Sequence, residues 1–256
     1  MKTIYLQGKE IKLYDSIDEM PIRNFQKYNK YVLIDSGVGS DLDSVDKHIV
    51  DLAKIIKSGD KARAMQELQN MRQNMHLIVE KISPKYLAFA ALIHSIDGKE
   101  QTDLSDTGLK EILSRLSKVR HSFVVDLLIW LKKKLSSELE AYFPAEFDSS
   151  KEREVYDKLK QRTLLVLQGI AEDKDTAEKV NAIDKFLFNL YKPQNFIGKE
   201  SVEIRYDKQF ESACLIISQK TNMDGRKMTV LQFYSALDNI SKQIDSEKKA
   251  YSRQRK

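Results

Sequence analysis

The sequence predicts a mainly α fold, a multi-helix bundle that carries a small N-terminal β-hairpin. Helix-breaking residues are scarce: the 256 residues include 9 Gly and 4 Pro, about 5% of the chain against an average of roughly 12%. Apolar residues recur at alternating steps of three and four over long segments, which is the spacing of one helix face. Both observations favour long helices over a β-sandwich or a barrel.

The best candidates for strands lie at the start of the chain. Residues 3–6 and 10–14 alternate apolar and polar side chains on either side of Gln7, Gly8 and Lys9, a pattern typical of a hairpin with Gly in the turn. A two-stranded hairpin is not stable alone, so it is expected to pack on the rest of the chain. Residues 201–206 also alternate, and they are predicted to add a third strand.

Two helices joined by a two-residue connection are predicted after a first helix over residues 21–34 and a Gly-rich loop. Gly59 ends the first of the two and Asp60 caps the second, and so short a connection forces an antiparallel pair. Each helix carries one apolar stripe on one face. The stripes consist of Val45, Ile49, Leu52 and Ile56 in the first helix, and of Ala64, Leu68, Met71, Met75, Ile78 and Ile82 in the second.

Residues 86–93 are apolar on every side of a helix that begins at Pro84. A helix without a polar face is buried all round, so this one is predicted to form the centre of the core and to stop at Asp97 and Gly98. Amphipathic helices follow along the rest of the chain. The best internal boundary, at residues 144–150, divides the chain into an N-terminal region (1–146) and a C-terminal helical region (147–256), with one continuous domain as the alternative.

No motif for catalysis, metal binding or cofactor binding stands in the sequence. The Gly-x-Ser-x-Gly and His-Glu-x-x-His patterns are both missing, and the four histidines lie too far apart to be ligands on neighbouring turns of one helix. The acidic loop at residues 35–43 fails the calcium template because Gly37 and Gly39 stand where oxygen-bearing side chains are needed. The chain is therefore predicted to be no enzyme and to need no metal or cofactor.

Cysteine content and hydropathy exclude two further classes. The single cysteine, Cys214, cannot form an internal disulfide. The least charged stretch, residues 86–96, is eleven residues long, whereas a membrane span needs about 20. No membrane span is therefore predicted.

Most of the net charge of +5 lies in the last ten residues, where five basic side chains stand against one Glu. Such a tail, with an interleaved Tyr, could neutralise phosphates and stack on a base, or it could dock on an acidic partner subunit; the alternative is a solvated terminus. The candidate DNA- or partner-binding residues are Lys248, Lys249, Tyr251, Arg253, Arg255 and Lys256.

Segments near both ends of the chain carry a family resemblance. Residues 2–11 (KTIYLQGKEI), 21–28 (PIRNFQKY) and 228–234 (MTVLQFY) resemble small helical proteins encoded among the structural genes of tailed bacteriophages, in particular crAss-like phages. The resemblance implies a non-enzymatic virion structural protein, an oligomeric ring or adaptor subunit of the portal–neck–tail region that assembles in the host cytoplasm. Its partners would be portal, ring or tail subunits and further copies of itself.

Two alternatives stay open at this point: a tail assembly chaperone that binds an apolar helical client, and a nucleic-acid-binding accessory protein that acts through the basic tail. In a ring subunit, the unpaired edge of the N-terminal hairpin could extend the sheet of a neighbouring copy. The candidate subunit-contact residues are Ile4, Leu6, Ile11 and Leu13.

Overall fold

The described part of the chain confirms the mainly α fold class. A computed structural model describes residues 1–116, 120–144, 147, 150–172, 175–190 and 194–254, with the backbone alone for 150–153, 172, 188–190 and 249–254. The strands are β1 (Lys2–Leu6), β2 (Lys9–Leu13), β3 (Ile93–Ile96) and β4 (Lys99–Glu100). The helices are α1 (Ile22–Gly37), α2 (Leu42–Ser58), α3 (Lys61–Val79), α4 (Pro84–Ala91), α5 (Asp106–Arg115), α6 (His121–Tyr142), α7 (Ser150–Glu172), α8 (Ala177–Leu190), α9 (Val202–Thr221) and α10 (Val230–Gln254).

The predicted N-terminal hairpin is confirmed. β1 and β2 pair antiparallel with Ile4 opposite Ile11. Gln7 and Gly8 both have positive φ angles, 55° and 76°, as a two-residue hairpin turn that matches the strand twist requires. The hairpin is the first half of a four-stranded antiparallel sheet with the order β1-β2-β3-β4, which supplies the packing that two strands alone lack.

The third strand comes from a different segment than the sequence predicts. Residues 201–206 are not a strand: Ser201 caps α9 by accepting a hydrogen bond from the Ile204 amide at 3.3 Å, so the alternation there lies within the first turns of a helix. β3 instead follows the apolar run of α4 and pairs with β2. Asp97 and Gly98, with φ angles of 50° and 78°, turn the chain into β4.

Helix α4 is the centre of the core, as its all-apolar sequence predicts. It packs against α1, α5 and α6, and Phe89, Ala90 and Ala91 have no exposed surface. The predicted end at Asp97 and Gly98 is wrong: the helix already ends at Ala91, because Leu92 is its C-cap and Ile93 begins β3.

The C-terminal helices α9 and α10 are joined to the body by backbone hydrogen bonds. The Ile22 amide donates to the Met228 carbonyl and the Val230 amide to the Met20 carbonyl, both at 2.9 Å. One continuous apolar cluster runs from Ile11 on β2 to residues of α9 and α10. The division between residues 146 and 147 stays a prediction, and residues 145–146 and 148–149 lie outside the described part of the chain.

Two helical hairpins pack chiefly within themselves, α2 with α3 and α7 with α8. The predicted connection between α2 and α3 is confirmed: Gly59 is the left-handed C-cap of α2, with a φ of 77°, and Asp60 accepts a hydrogen bond from the Arg63 amide at 3.0 Å. The pair is antiparallel, and it leaves the body at Val38 and returns to it at Pro84.

Candidate protein-interaction surface

The interior of the α2–α3 hairpin is polar. Apart from Ile55, the side chains of these two helices that are shielded from solvent are a histidine, a carboxylate and two amides. They are His48 on α2 and Glu67, Asn70 and Asn74 on α3. Burying polar groups of this kind is costly unless they are hydrogen-bonded.

His48 satisfies both of its ring nitrogens inside the hairpin. Nδ1 lies 2.5 Å from Glu67 Oε1 and Nε2 lies 2.8 Å from the Val38 carbonyl oxygen. Because a carbonyl only accepts, Nε2 carries a proton, and the carboxylate favours a second proton on Nδ1. The hydrogen bond to Glu67, and after it the Val38 carbonyl, raise the pKa of His48 against the opposing effect of burial. The geometry thus favours the imidazolium form of His48 beside Glu67.

The Val38 carbonyl ties both helices of the hairpin to the end of α1. It accepts hydrogen bonds from His48 Nε2 and, at 2.6 Å, from Asn74 Nδ2. The segment after α8 packs on the same end of α1, where the buried ring of Phe196 lies directly against Gly37. The base of the hairpin is therefore fixed to the end of α1. Among the residues that the structure describes, Asn74 Oδ1 is buried without a hydrogen-bond partner.

The apolar stripes of α2 and α3 lie at the surface. Each stripe follows the buried line by one position, as Ile49 follows His48 and Met75 follows Asn74, and one position turns a helix by about 100°. Because the two helices run in opposite directions, this turn brings both stripes to the same side of the pair. The ten apolar residues of this surface, hereafter the hairpin face, are Leu42, Val45, Ile49, Leu52, Ile56, Ala64, Leu68, Met71, Met75 and Ile78.

Much of the hairpin face is open to solvent. Leu42 is 73% exposed, Ile56 63% and Met75 54%. Along the line of each stripe no polar residue interrupts the apolar ones. Scattered exposed apolar residues are normal on a soluble protein, but a contiguous apolar surface marks a site of interaction.

The outer borders of the hairpin face carry charged residues, and those of α3 are basic. Asp43, Asp46 and Lys57 lie along the outer side of α2. Lys61 and Arg72 lie along the outer side of α3, eleven residues or about three helical turns apart. Lys57, Lys61 and Arg72, hereafter the basic rim, are exposed. None of the three has a carboxylate partner within 4 Å among the residues described here.

A polar cavity of about 380 Å³ lies beneath the hairpin, between α1, α2 and Gln194. Lys85 Nζ lies 3.2 Å from Asp41 and 3.9 Å from Asp35, and burial raises the pKa of Asp35. Over the described ranges, no group of three or more His, Cys, Asp or Glu side chains is placed to hold a metal ion. The cavity contains both signs of charge and favours no single ligand chemistry.

Two of the four predicted subunit-contact residues on the N-terminal β-hairpin are buried in their own chain, and the other two are half-buried. Ile11 and Leu13 are fully buried in their own chain, while Ile4 and Leu6 are half-buried and pack against the core. The backbone edge of β1 lies at one end of the sheet order. Contact with a neighbouring copy through these residues stays a prediction. The backbone edge of β1 is the part of the β1–β2 hairpin that could pair with such a copy.

The basic tail lies mostly outside the described residues. Lys248 is exposed near the end of α10. The side chains of Lys249, Tyr251 and Arg253, and the whole of Arg255 and Lys256, are not among the parts that the structure describes. Binding of DNA or of a partner by the tail therefore stays a prediction. None of the described helices has the length and apolar character that a membrane crossing needs.

Comparison with protein-family models, with curated proteins and with solved structures finds no match for this chain. The hairpin face itself is therefore the basis for inferring a function. Its apolar residues are recognisable in the sequence, but their exposure is not. The signal that sequence reasoning passed over is the polar line of Glu67, Asn70 and Asn74, which has the same helical spacing as the apolar stripe beside it.

Proposed function

We propose that this protein is a non-enzymatic structural subunit that assembles with other protein chains through the hairpin face. The observation that carries the proposal is the inverted hairpin, which buries His48 and Glu67 and exposes Ile49 and Met75. A helix pair that serves only the stability of its own chain would place the apolar stripes inside. An outward apolar face gains its stabilisation when a partner covers it.

The size of the hairpin face suits such a role. The 17 residues of α2 give a length of about 25 Å, and two helices side by side are about 20 Å wide, so the face covers roughly 500 Å². That is at the upper end of the apolar patches that soluble monomers carry, and such patches are often functional.

The resemblance to proteins of tailed, crAss-like bacteriophages supplies the particular assembly. We place the chain in the virion as a ring or adaptor subunit of the portal–neck–tail region, with portal, ring or tail subunits as partners. Two of the segments that carry the resemblance pack together, since Pro21 forms a β-bridge with Thr229. A ring subunit needs at least two contact surfaces, and the hairpin face and the edge of β1 are two separate candidates.

The test is the mass of the full-length protein in solution, measured by light scattering after gel filtration, alone and with each structural protein encoded beside it. A closed oligomer, or a stoichiometric complex with a portal or tail component, is the expected result. The Ile49→Glu variant should lose that complex and keep the circular dichroism spectrum of the parent. A chain that stays monomeric with every one of these proteins would refute the proposal.

A tail assembly chaperone is the second candidate. The hairpin face contains Met71 and Met75, whose flexible and polarisable side chains adapt to varied apolar partners. This feature suits a client helix that binds and then leaves. A chaperone would bind an unassembled tail component and be missing from purified particles, whereas a ring subunit would be present in them at a fixed number of copies.

A further inference from the structure

We propose that the hairpin face receives an amphipathic α-helix of a partner protein whose apolar stripe is bordered by Asp and Glu. This inference rests on the proposed function and names the chemistry of the partner. It follows from two features together, the apolar groove between α2 and α3 and the basic rim that borders it.

The shape of the face suits a helix. Two parallel rows of apolar side chains, one on α2 and one on α3, leave a shallow groove between them, and a helix that lies in such a groove buries its own i, i+3, i+4 and i+7 positions. Ile49 and Ile56 line one side of the groove, and Met71 and Met75 line the other. The bound helix would complete a three-helix arrangement with an apolar centre.

The charges around the groove favour an acidic partner. Lys57, Lys61 and Arg72 border the face, and the acidic residues Asp43 and Asp46 lie only at the base of α2. Since the three basic side chains have no carboxylate partner within the part of the chain that the structure describes, they are available for one. Rim charges of this kind choose the partner and speed its association more than they add affinity.

The same charges disfavour the other occupants of an apolar face. Two copies packed face to face would bring together two rims, each with three basic and two acidic residues and therefore a net positive charge, whereas a Glu-bordered helix would offer the basic rim only opposite charge. An anionic lipid surface would also attract the basic residues. However, the face has no aromatic side chain, and Asp46 would be repelled there.

The experiment uses the full-length protein and two synthetic helical peptides of about 18 residues. Both carry Leu at i, i+3, i+4 and i+7 positions; one has Glu on the borders of the Leu stripe and the other has Lys. Binding is measured by fluorescence anisotropy at low and high salt. We expect the Glu-bordered peptide to bind at least ten-fold more tightly at low salt, and the difference to shrink as salt screens the rim.

Two variants separate the apolar and the charged contributions. Ile49→Glu should abolish binding of the Glu-bordered peptide. Its matched control, Ile216→Glu, should leave binding unchanged because Ile216 is also exposed but lies on α9, outside the face and its borders. The triple variant Lys57→Glu/Lys61→Glu/Arg72→Glu should reverse the preference, so that the Lys-bordered peptide binds more tightly. Circular dichroism of each variant confirms that it is folded.

Three results would overturn the inference. The first is equal binding of both peptides, or binding that Ile49→Glu does not change. The second is a dimer of the parent protein that Ile49→Glu dissociates. The third is binding to phosphatidylserine vesicles that is lost in the same variant. If the peptides fail but Ile49→Glu still disrupts a complex with a structural protein, the proposed function stands and only the chemistry of the partner is wrong.

Discussion

Helices α4 and α3 bury opposite chemistries. α4 is surrounded by α1, α5 and α6, and it buries apolar side chains on every side. α3 packs chiefly on α2, buries Glu67, Asn70 and Asn74, and leaves Leu68 and Met75 exposed. The core around α4 therefore stabilises the chain through apolar packing. The α2–α3 hairpin is held by hydrogen bonds instead, and its apolar surface is left exposed for a partner.

The largest expected effect on the free energy of unfolding is the difference between replacing a core side chain and a hairpin-face side chain by Ala. Phe89→Ala removes a fully buried ring from α4 and should lower the free energy of unfolding by about 4 kcal/mol. Met75→Ala removes an exposed side chain from α3 and should cost less than about 0.5 kcal/mol. Urea unfolding curves of the two variants measure both values. Similar losses would mean that the hairpin face is part of the core.

The buried ion pair should give the next largest effect. Glu67→Ala leaves the charge of His48 without its partner inside the hairpin and should lower the free energy of unfolding by about 3 kcal/mol. The double variant His48→Leu/Glu67→Met replaces the pair by apolar side chains of similar volume and should recover most of that loss. Urea unfolding again measures the change. A double variant as unstable as Glu67→Ala would contradict the account of a compensated charge pair.

Gly37 lies at the base of the α2–α3 hairpin and Gly59 at its tip, and replacing each should destabilise the protein for a different reason. A Cβ at Gly37 would collide with the Phe196 ring, so Gly37→Ala should cost about 2 kcal/mol through displaced packing. Gly59 faces open space but has a φ of 77°, so Gly59→Ala should cost about 1 kcal/mol through backbone strain alone. Thermal melts of both variants check the order. A greater loss at Gly59 would contradict the close packing of Phe196 on Gly37.

The smallest expected effect is a pH dependence confined to the hairpin. Glu67 and the Val38 carbonyl raise the pKa of His48 above its ordinary value of 6.5, and Lys47 opposes them. A histidine whose pKa is raised in the folded state stabilises the fold fully when the pH is below its ordinary pKa. This stabilisation is lost as the pH rises through the raised pKa. Hydrogen exchange, corrected for its intrinsic rate, should therefore show weaker protection of α3 amides above that pKa and no such change in α4. A His48→Asn variant should lose the dependence, and an equal change in α4 would contradict it.

The sequence was sufficient for the elements that depend on local signals. The hairpin turn at Gln7 and Gly8, the antiparallel pairing set by Gly59 and Asp60, and the central position of α4 all follow from residues close together in the chain. Which face of α3 is buried against α2 does not follow from nearby residues, because α3 carries a polar line and an apolar line with the same helical spacing. Which line is buried depends on His48 and on the Val38 carbonyl, both of which lie far from α3 in sequence.

The same limit explains the missed strand. Ile93–Ile96 continues an apolar run and shows no alternation of its own, so only its pairing with β2 defines it as a strand. Residues 201–206 do alternate, but the Ser201 cap and the packing of Val202 commit them to a helix. The distant strand β2 therefore decides the first case, whereas a local signal, the Ser201 cap, contributes to the second.

Methionine oxidation of the free protein at low concentration tests the central claim most directly. Met75 belongs to the hairpin face, Met65 is 59% exposed on the same helix outside it, and Met20 is fully buried. Oxidation rates follow exposure, and mass spectrometry of peptides resolves the three sites. The inverted hairpin predicts that Met75 oxidises about as fast as Met65 and far faster than Met20. A Met75 as protected as Met20 would mean that the apolar stripe of α3 is buried, and it would contradict the account.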